Sequence, residues 1–458
     1  MISAAPHTAR AIVRLASPVL VAQLAVIASG VLDTVMAGRY GAVDLAAVGI
    51  GASVYFSIFI GLLGVLQALS PVAAQLFGAG RYSEIGEATR QTAWMAAALA
   101  VIGVLLLGFP DTFLALLGAP PEVALRARAY LVGIAWAAPA MLLFRVFFAL
   151  TTAVSRPRAV MFTNLVYFAL KVPLNAMFIY GAFGAPELGG PGCAVGTAIA
   201  SWMMCLIAWI YCGARPFYKP FGVFARWSWP DPRAIGMLLK LGVPIGLTSF
   251  VEVTSFTFIA LFVARLGAAT SAGHQIASNM VGIVYMFGIA VGTATGVLTA
   301  QAVGARDSVR ARQTGFAGMV IMVAVSASLG TAILLGAPGI AQAYTKDTAV
   351  QKLAVQLLLF VAFYELFDTL QLVIVNALRG YKIAVVPMLV YTVALWGIGL
   401  GGGYALALTR LAGADMLGLA TPMGVAGFWL AGVASLVVSS LVLLAYFARV
   451  SRPRRQAV

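Results

Sequence analysis

Twelve long apolar stretches run through the 458 residues of the chain and limit what it can fold into. Each approaches or exceeds the roughly 20 residues that a helix needs to cross about 30 Å of hydrocarbon. Charged residues make up 9% of the sequence and hydrophobic residues 62%, which leaves too little polar surface for a water-soluble fold. We therefore predict an all-α membrane protein with twelve transmembrane helices, spanning residues 12–38, 46–77, 92–117, 127–152, 160–183, 192–213, 236–264, 274–302, 314–343, 350–378, 384–409 and 423–448.

The positive charges indicate which side of the membrane each connection faces. Most Lys and Arg residues lie in the same alternate set of connections as the two chain ends, and the other connections carry few. By the positive-inside rule both termini are cytoplasmic, and we expect a multi-pass protein of the bacterial-type inner membrane. The net charge of +15 then reflects membrane topology, so we expect the lipid bilayer and no nucleic acid as its surroundings.

An internal repeat relates the two halves of the chain. Sliding the second half over the first aligns identical residues in order, among them Pro18 with Pro244, Arg39 with Arg265, Gln75 with Gln301 and Gly78 with Gly304. Because six spans are an even number, the two six-helix lobes should be parallel, related by an axis along the membrane normal. We predict an N-terminal lobe with its cytoplasmic tail, a cytoplasmic linker, a C-terminal lobe and a basic cytoplasmic tail at residues 1–218, 219–235, 236–448 and 449–458.

Ionisable side chains inside the spans are the strongest functional signal, because a charge in hydrocarbon persists mainly where it faces a cavity or a partner. They are Asp33, Arg145, Lys171, Glu252, Glu365 and Asp368. At 1.5 Å of rise per residue, Glu252 and Asp368 lie about 20 and 16 Å inside their spans, near the midplane, whereas Asp33 lies about 9 Å below the outer end of its span.

Acids at this depth suit a coupling cation, since a proton or sodium ion removes the charge penalty. Two alternatives stay open: Asp33 could reach the outer surface from a helix end, and Glu365 could be a cavity wall or an accessory partner. The duplicated lobes favour alternating access over a channel or a structural subunit.

Several motifs resemble the multidrug and toxic compound extrusion (MATE) family, most of all its NorM-type branch. They are VLDTVMAGRYG at residues 31–41, PELGG at 186–190, GVP at 242–244, FYELFD at 363–368 and NALRG at 376–380. The resemblance covers residues 10–448 and implies a twelve-helix antiporter that exports cationic lipophilic drugs in exchange for sodium ions or protons. It also implies coupling roles for Asp33, Glu252 and Asp368, with Tyr364 beside Asp368, and a helix-bending role for Pro18. In this family the midplane pair Glu252 and Asp368 is a possible sodium site.

One position departs from the family pattern. Two polar positions four residues apart on the fifth span assist the first-helix acid in relatives, and here they are Lys171 and Asn175, with Thr197 on the sixth span. A lysine is a poor neighbour for sodium, so we hypothesise that Lys171 pairs with Asp33 and that protonation of Asp33 breaks the pair. The alternative is a lysine that faces a water-filled vestibule without a partner. Arg145 could line a cavity or pair with an acid.

Aromatic and amide side chains near the acids could contact a flat cationic drug, although aromatic residues in membrane helices more often pack against lipid or other helices. The candidates for the substrate cavity are Phe250, Phe256, Gln275, Asn279, Tyr285 and Asn376. Tyr391 is a further aromatic residue near the acids, and His274 is expected in a loop or interface.

Other functional classes find little support. The chain has no phosphate-binding GxxxxGK[ST] motif, no HExxH and no GxSxG, so we do not expect an enzyme or a cofactor beyond the coupling ion. A flippase for a lipid-linked or other amphipathic substrate is the main alternative, and it would need a basic or polar groove for a pyrophosphate. The acidic second lobe instead favours cationic amphipathic small molecules. We expect a monomer.

Overall fold

The computed structural model describes residues 5–111, 114, 120–225, 227–409 and 423–452. All regular elements among these residues are helical, including short 3-10 helices at Ala182–Gly184 and Pro216–Phe221. The α-helices are α1 Ala5–Tyr40, α2 Ala42–Leu66, α3 Leu69–Gly78, α4 Tyr82–Gly108, α5 Pro121–Ala135, α6 Ala138–Ala153, α7 Arg158–Tyr180, α8 Gly192–Ala214, α9 Pro232–Ala264, α10 Ala268–Gly304, α11 Ser308–Tyr344, α12 Thr348–Gly380, α13 Val385–Thr392, α14 Gly403–Leu408 and α15 Val425–Val450. A π-helix, Val393–Gly402, joins α13 to α14.

The twelve-span prediction is confirmed. Within the described residues, eleven helical segments are long and apolar enough to cross a membrane, and the bent pair α5 and α6 makes a twelfth. Most helices run a few residues beyond the predicted spans at one or both ends. Of the predicted cytoplasmic tail at 449–458, only residues up to 452 are described, and the loop cations Arg226 and Arg410 also lie outside the described residues.

Three spans depart from a regular helix. The second is interrupted at Gln67 and Ala68, before Pro71, and the fourth bends by 47° at Trp136 and Ala137, before Pro139. Proline has no backbone N–H and its ring clashes with the preceding turn, so each break precedes the residue that cannot continue the hydrogen-bond ladder. The eleventh span contains the π-helix, a local irregularity that the apolar pattern does not reveal.

The contacts divide the chain into two compact units. One unit is Ser17–Gly246, and the other combines Met1–Ala16 with Leu247–Val458. The chain therefore passes between units inside α1 and α9, close to Pro18 and Pro244, the two prolines that the internal repeat aligns. Proline weakens a helix at its own position, so both crossings lie where the helix can bend most easily.

Residues 219–235, predicted to be a linker, contact α4 within the first of these units. The Arg90 Nε of α4 donates to Ser228 Oγ at 2.9 Å, and Trp94 Nε1 donates to the Ser228 carbonyl at 3.0 Å. Gln91 Nε2 donates to the Trp229 carbonyl at 2.9 Å. These bonds hold the segment against one helix over two successive turns of α4.

Glycines allow close helix contacts in both units. In Ser17–Gly246, a Cβ on Gly242 of α9 would lie 2.3 Å from the Val65 carbonyl oxygen of α2. In the other unit, a Cβ on Gly296 of α10 would lie 2.7 Å from the Asn376 carbonyl oxygen of α12, and one on Gly288 would lie 3.0 Å from Thr369. Small residues let membrane helices approach until their backbones touch. The α10–α12 contact fixes the rotation of α12, which carries the acids described below.

Replacing Gly242 tests this packing, with Gly236 of the same helix as a matched control, since a Cβ there has no atom within 4 Å. We expect Gly242→Ala to lower the free energy of unfolding by about 1–3 kcal/mol because the added methyl group overlaps a backbone oxygen. Gly236→Ala should be neutral or stabilising by up to about 1 kcal/mol, because alanine favours a helix. Thermal unfolding in detergent micelles measures both, and equal shifts for the two variants would contradict the packing described.

Candidate functional site

A buried ion pair lies inside the unit Ser17–Gly246. Lys171 Nζ of α7 lies 2.5 Å from Asp33 Oδ2 of α1, and Asn175 Nδ2 donates to Asp33 Oδ1 at 2.7 Å. Lys171 is 1% exposed, Asn175 is fully buried and Asp33 is 9% exposed. Each carboxylate oxygen of Asp33 therefore has its own partner, and the hypothesised contact between Lys171 and Asp33 is present. A lysine without a partner is excluded, and Asp33 does not extend to the surface.

Helix periodicity and one glycine build this site. Lys171 and Asn175 are four residues apart and share a face of α7, so both reach the same carboxylate. A Cβ on Gly196 of α8 would lie 2.6 Å from Asn175 Oδ1, so the glycine lets α8 close against the amide. Thr197, beside this glycine, is buried, and its hydroxyl has no hydrogen-bond partner among the described residues. The Thr197 hydroxyl is thus a polar group on α8 near the ion pair that does not bond to it.

The second unit carries a cluster of acids. Glu252 of α9 accepts hydrogen bonds from the hydroxyls of Tyr285 on α10 and Tyr391 on α13. Arg379, near the end of α12, is close enough to act electrostatically on Glu252 and Tyr285. Four helices thus contribute to the surroundings of one midplane carboxylate, and Tyr285, predicted as a cavity residue, contacts it directly.

Asp368 and Glu365 lie one turn apart on α12. Asp368 is 3% exposed and interacts electrostatically with Glu252. Glu365 is fully buried, and neither of its carboxylate oxygens has a hydrogen-bond partner among the described residues. The two predicted midplane acids are therefore brought together, with a third acid beside them. A group of buried carboxylates of this kind attracts small cations, because each cation removes part of the repulsion and of the desolvation cost.

Tyr364 borders a small cavity on the neighbouring turn of α12. Its ring contacts Phe256 at 6.2 Å and Trp429 at 5.7 Å between centroids, both edge-on. The cavity holds about 30 Å³, room for one water molecule, and Ser255 and His274 also line it. His274 lies inside α10 and is buried against the Trp429 ring of α15, so it is not in a loop, one of the two places expected for it. The predicted eighth span starts only at residue 274, whereas α10 starts at Ala268.

The remaining predicted cavity residues are spread over the unit. Gln275 and Asn279, exposed on α10, bond to each other at 3.1 Å, and Asn376 Nδ2 donates to the Leu372 carbonyl of its own helix at 2.8 Å. Phe250 is 43% exposed. These four side chains have no hydrogen bond or ring contact with the acids in the described part of the chain. Their role in substrate binding stays a prediction.

Two further predicted residues belong to the unit Ser17–Gly246. Pro18 is buried inside α1, which continues as a helix through it. The guanidinium of Arg145 lies 4.6 Å from the centroid of the Phe148 ring, so this cation contacts an aromatic face of its own helix.

Arg379 is the member of the acid cluster that the sequence analysis does not predict, because it lies one residue beyond the predicted tenth span, 350–378. A signal was present: eleven residues separate it from Asp368, which is three helical turns, so the two share a face of α12. A long arginine side chain can extend several ångströms along such a face.

Comparison with known proteins places this geometry in context. The family model MatE matches residues 18–177 and 244–405, which cover both repeats. The "Probable multidrug resistance protein NorM" of Aromatoleum aromaticum is 42% identical over 441 residues, 96% of this chain and 94% of that protein. The "Multidrug resistance protein PmpM" of Pseudomonas aeruginosa is 36% identical over 96% of this chain and 91% of that protein.

Solved structures agree on the fold. The crystal structure of the eukaryotic MATE transporter AtDTX14 superposes with a TM-score of 0.85 at 18% identity, over 98% of this chain and 99% of that one. An outward-facing multidrug resistance MATE family transporter of the MOP superfamily gives a TM-score of 0.86, also at 18% identity, over 97% of this chain and 96% of that one.

A double-mutant cycle on Asp33 and Lys171 tests the buried pair. Lys171→Met should lower the free energy of unfolding by about 3–5 kcal/mol, because it leaves a buried carboxylate with only the Asn175 amide. Asp33→Asn combined with Lys171→Met should cost less than the sum of the single changes, since no unpaired charge remains. Chemical or thermal unfolding in micelles gives the coupling energy, and strictly additive effects would show that the two side chains do not interact.

Proposed function

The chain belongs to the MatE family of multidrug and toxic compound extrusion transporters, and from this premise we propose that it is a secondary active multidrug efflux antiporter. Its substrates are cationic lipophilic compounds, and sodium ions or protons move in the opposite direction. It resides in the bacterial-type inner membrane with both termini in the cytoplasm and acts as a monomer. The lobes alternate between inward-open and outward-open states, and Pro18 contributes to that change.

The cluster of Glu252, Glu365 and Asp368 is the observation that supports this proposal best. These carboxylates lie on α9 and α12 of one unit, and among the described residues Arg379 is the cation that acts on the cluster, through Glu252. A cation that enters this cluster weakens its electrostatic hold on a cationic drug, so the two compete for one negative field. Competition of this kind gives exchange, provided that the two cations differ in their affinity for the two states.

Asp33 gives the first repeat a response to protons that differs from cation binding at the acid cluster. While Lys171 and Asn175 occupy both of its carboxylate oxygens, a sodium ion would have to displace the ammonium group. A proton on Asp33 removes the charge that holds Lys171 and frees α7 from α1 at this level. We assign Asp33 to proton sensing in the first repeat, with Lys171, Asn175 and Thr197 as accessory residues.

A flippase for lipid-linked substrates is not favoured. Such a substrate carries phosphate groups, and phosphate binding calls for arginine, lysine or helix N-termini directed at the ligand. The second unit instead gathers three acids around its midplane, which repel an anionic head group. The relatives named for multidrug resistance support drug export rather than a flippase.

Efflux of a fluorescent cationic dye from proteoliposomes tests the coupling role of the cluster. An inward sodium gradient or an inward proton gradient should drive dye out with the wild type. Asp368→Asn should reduce the driven rate at least about tenfold, because it removes one of the two interacting midplane acids, Glu252 and Asp368, that take up the coupling cation. Asp347→Asn is the matched control: it lies at the N-terminus of the same helix, where asparagine caps as well as aspartate does.

Comparing the two gradients identifies the coupling ion. A folded wild-type protein that moves dye under neither gradient would remove the antiport proposal, and lipid-linked substrates would then be tested.

A second variant tests proton sensing at Asp33. With Lys171→Met the carboxylate loses its ammonium partner, so protonation no longer breaks an ion pair, and the pH profile of dye efflux should shift or flatten. Lys352→Met, an exposed lysine of α12, should keep the wild-type profile. Efflux measured across pH 5.5 to 8.5 at fixed dye gradient gives the profiles. An unchanged profile for Lys171→Met protein that is still folded at the assay temperature contradicts the assigned role.

A further inference from the structure

The exchange of one ion for one drug does not require a third acid, and it therefore does not explain Glu365. Its side chain is fully buried in α12, and both carboxylate oxygens lack a hydrogen-bond partner among the described residues. The hydroxyl groups of Thr369 and Ser326 do not bond to this carboxylate. Thr369 Oγ1 donates to the backbone carbonyl of Glu365, and Ser326 Oγ pairs with Thr369 Oγ1 at 2.6 Å. An ionised carboxylate cannot persist there without an added positive charge.

The groups that face Glu365 do not supply that charge. Its electrostatic partners are Asp368, one turn along α12, and Glu252 of α9, and both are acids. The other polar neighbours of the cluster are tyrosine hydroxyls, contributed by α10, α12 and α13: Tyr285, Tyr364 and Tyr391. Arg379 is the cation that acts on the cluster in the described part of this unit, and it acts on Glu252.

Counting charges gives three carboxylates against one guanidinium, so two positive charges are needed for neutrality. We propose that Glu365 makes the acid cluster a site for two coupling cations, so that each cycle brings in two monovalent cations and releases one monovalent drug cation. One net positive charge then moves into the cell per cycle, and the membrane potential drives transport. This inference rests on the antiport proposed above and adds its charge ratio.

Glu365→Gln isolates this role. Glutamine has nearly the same shape and leaves two carboxylates against Arg379, which one cation neutralises. The variant should still exchange dye for the coupling ion, but at one charge for one charge, so that transport becomes electroneutral. Glu365→Asp keeps the charge and should keep the sensitivity to potential, whereas Glu122→Gln removes an exposed acid at the start of α5 and should match the wild type.

The experiment uses the full-length protein in proteoliposomes with ethidium, a monovalent cationic dye. A potassium diffusion potential is set with valinomycin, with the coupling ion equal on both sides, so that voltage alone drives transport. For one net charge per cycle, about 59 mV should change the dye gradient tenfold and about 118 mV a hundredfold. Protein-free liposomes give the passive response of the dye, which is subtracted. Replacing sodium with choline, and varying the pH, shows whether the two cations are sodium ions, protons or one of each.

We expect a tenfold change per about 59 mV for the wild type and for Glu365→Asp, and none for Glu365→Gln, while an imposed ion gradient still drives dye in all three. A wild type that responds to the ion gradient but not to voltage overturns the two-cation site and leaves antiport intact. Full voltage dependence in Glu365→Gln, with normal thermal stability, overturns the role of Glu365. A wild type that fails to respond to any ion gradient refutes antiport itself.

Discussion

The cost of placing charge inside a membrane governs this molecule. Each ionised side chain at the centre of a span costs about 2.5–3.5 kcal/mol on insertion scales, so a chain keeps such groups only where something compensates them. The two units compensate them differently. In one unit, Asp33 has Lys171 and Asn175 as built-in partners. In the other, Arg379 acts on one of three acids, Glu252, and Glu365 has no hydrogen-bond partner among the described residues. The missing compensation in the second unit is what a transported cation can supply.

This asymmetry matters because the two halves descend from one repeat. The aligned prolines Pro18 and Pro244 mark where the chain passes between units, so the helix framework is shared, but the charges inside it are not. A pair that is already neutral responds to a proton by breaking, whereas an acidic cluster responds to a cation by becoming neutral. Duplication of the fold therefore allows one chain to contain two ion-sensitive elements that respond to a cation in opposite ways.

Much of this architecture could be predicted from the sequence, because hydrophobic length and helical rise are properties of single segments. The spans, the repeat and the depth of Asp368 depend on nothing else. The four-residue spacing of Lys171 and Asn175, read with the family pattern, suggested their common target. The rest depends on how helices rotate and approach. That Arg379 reaches toward Glu252, that His274 is buried and that Glu365 lacks a partner follow from packing between helices, which residue spacing along one helix does not determine.

Packing also explains why the charge of the acid cluster stays uncompensated until a cation binds. Gly296 of α10 brings that helix against the backbone of α12, where a Cβ would lie 2.7 Å from the Asn376 carbonyl oxygen, and Gly288 packs against the Thr369 side chain, 3.0 Å from where its Cβ would be. With α12 held in this way, Glu365 and Asp368 cannot turn toward water by rotating the helix, and their short side chains cannot reach it alone. Relief of the repulsion must come from an arriving positive charge or from a movement of whole helices. Because close packing at glycines holds α12 in place, the electrostatic cost of the cluster can be relieved only by ion binding or by conformational change. These are the two events that an antiporter has to couple.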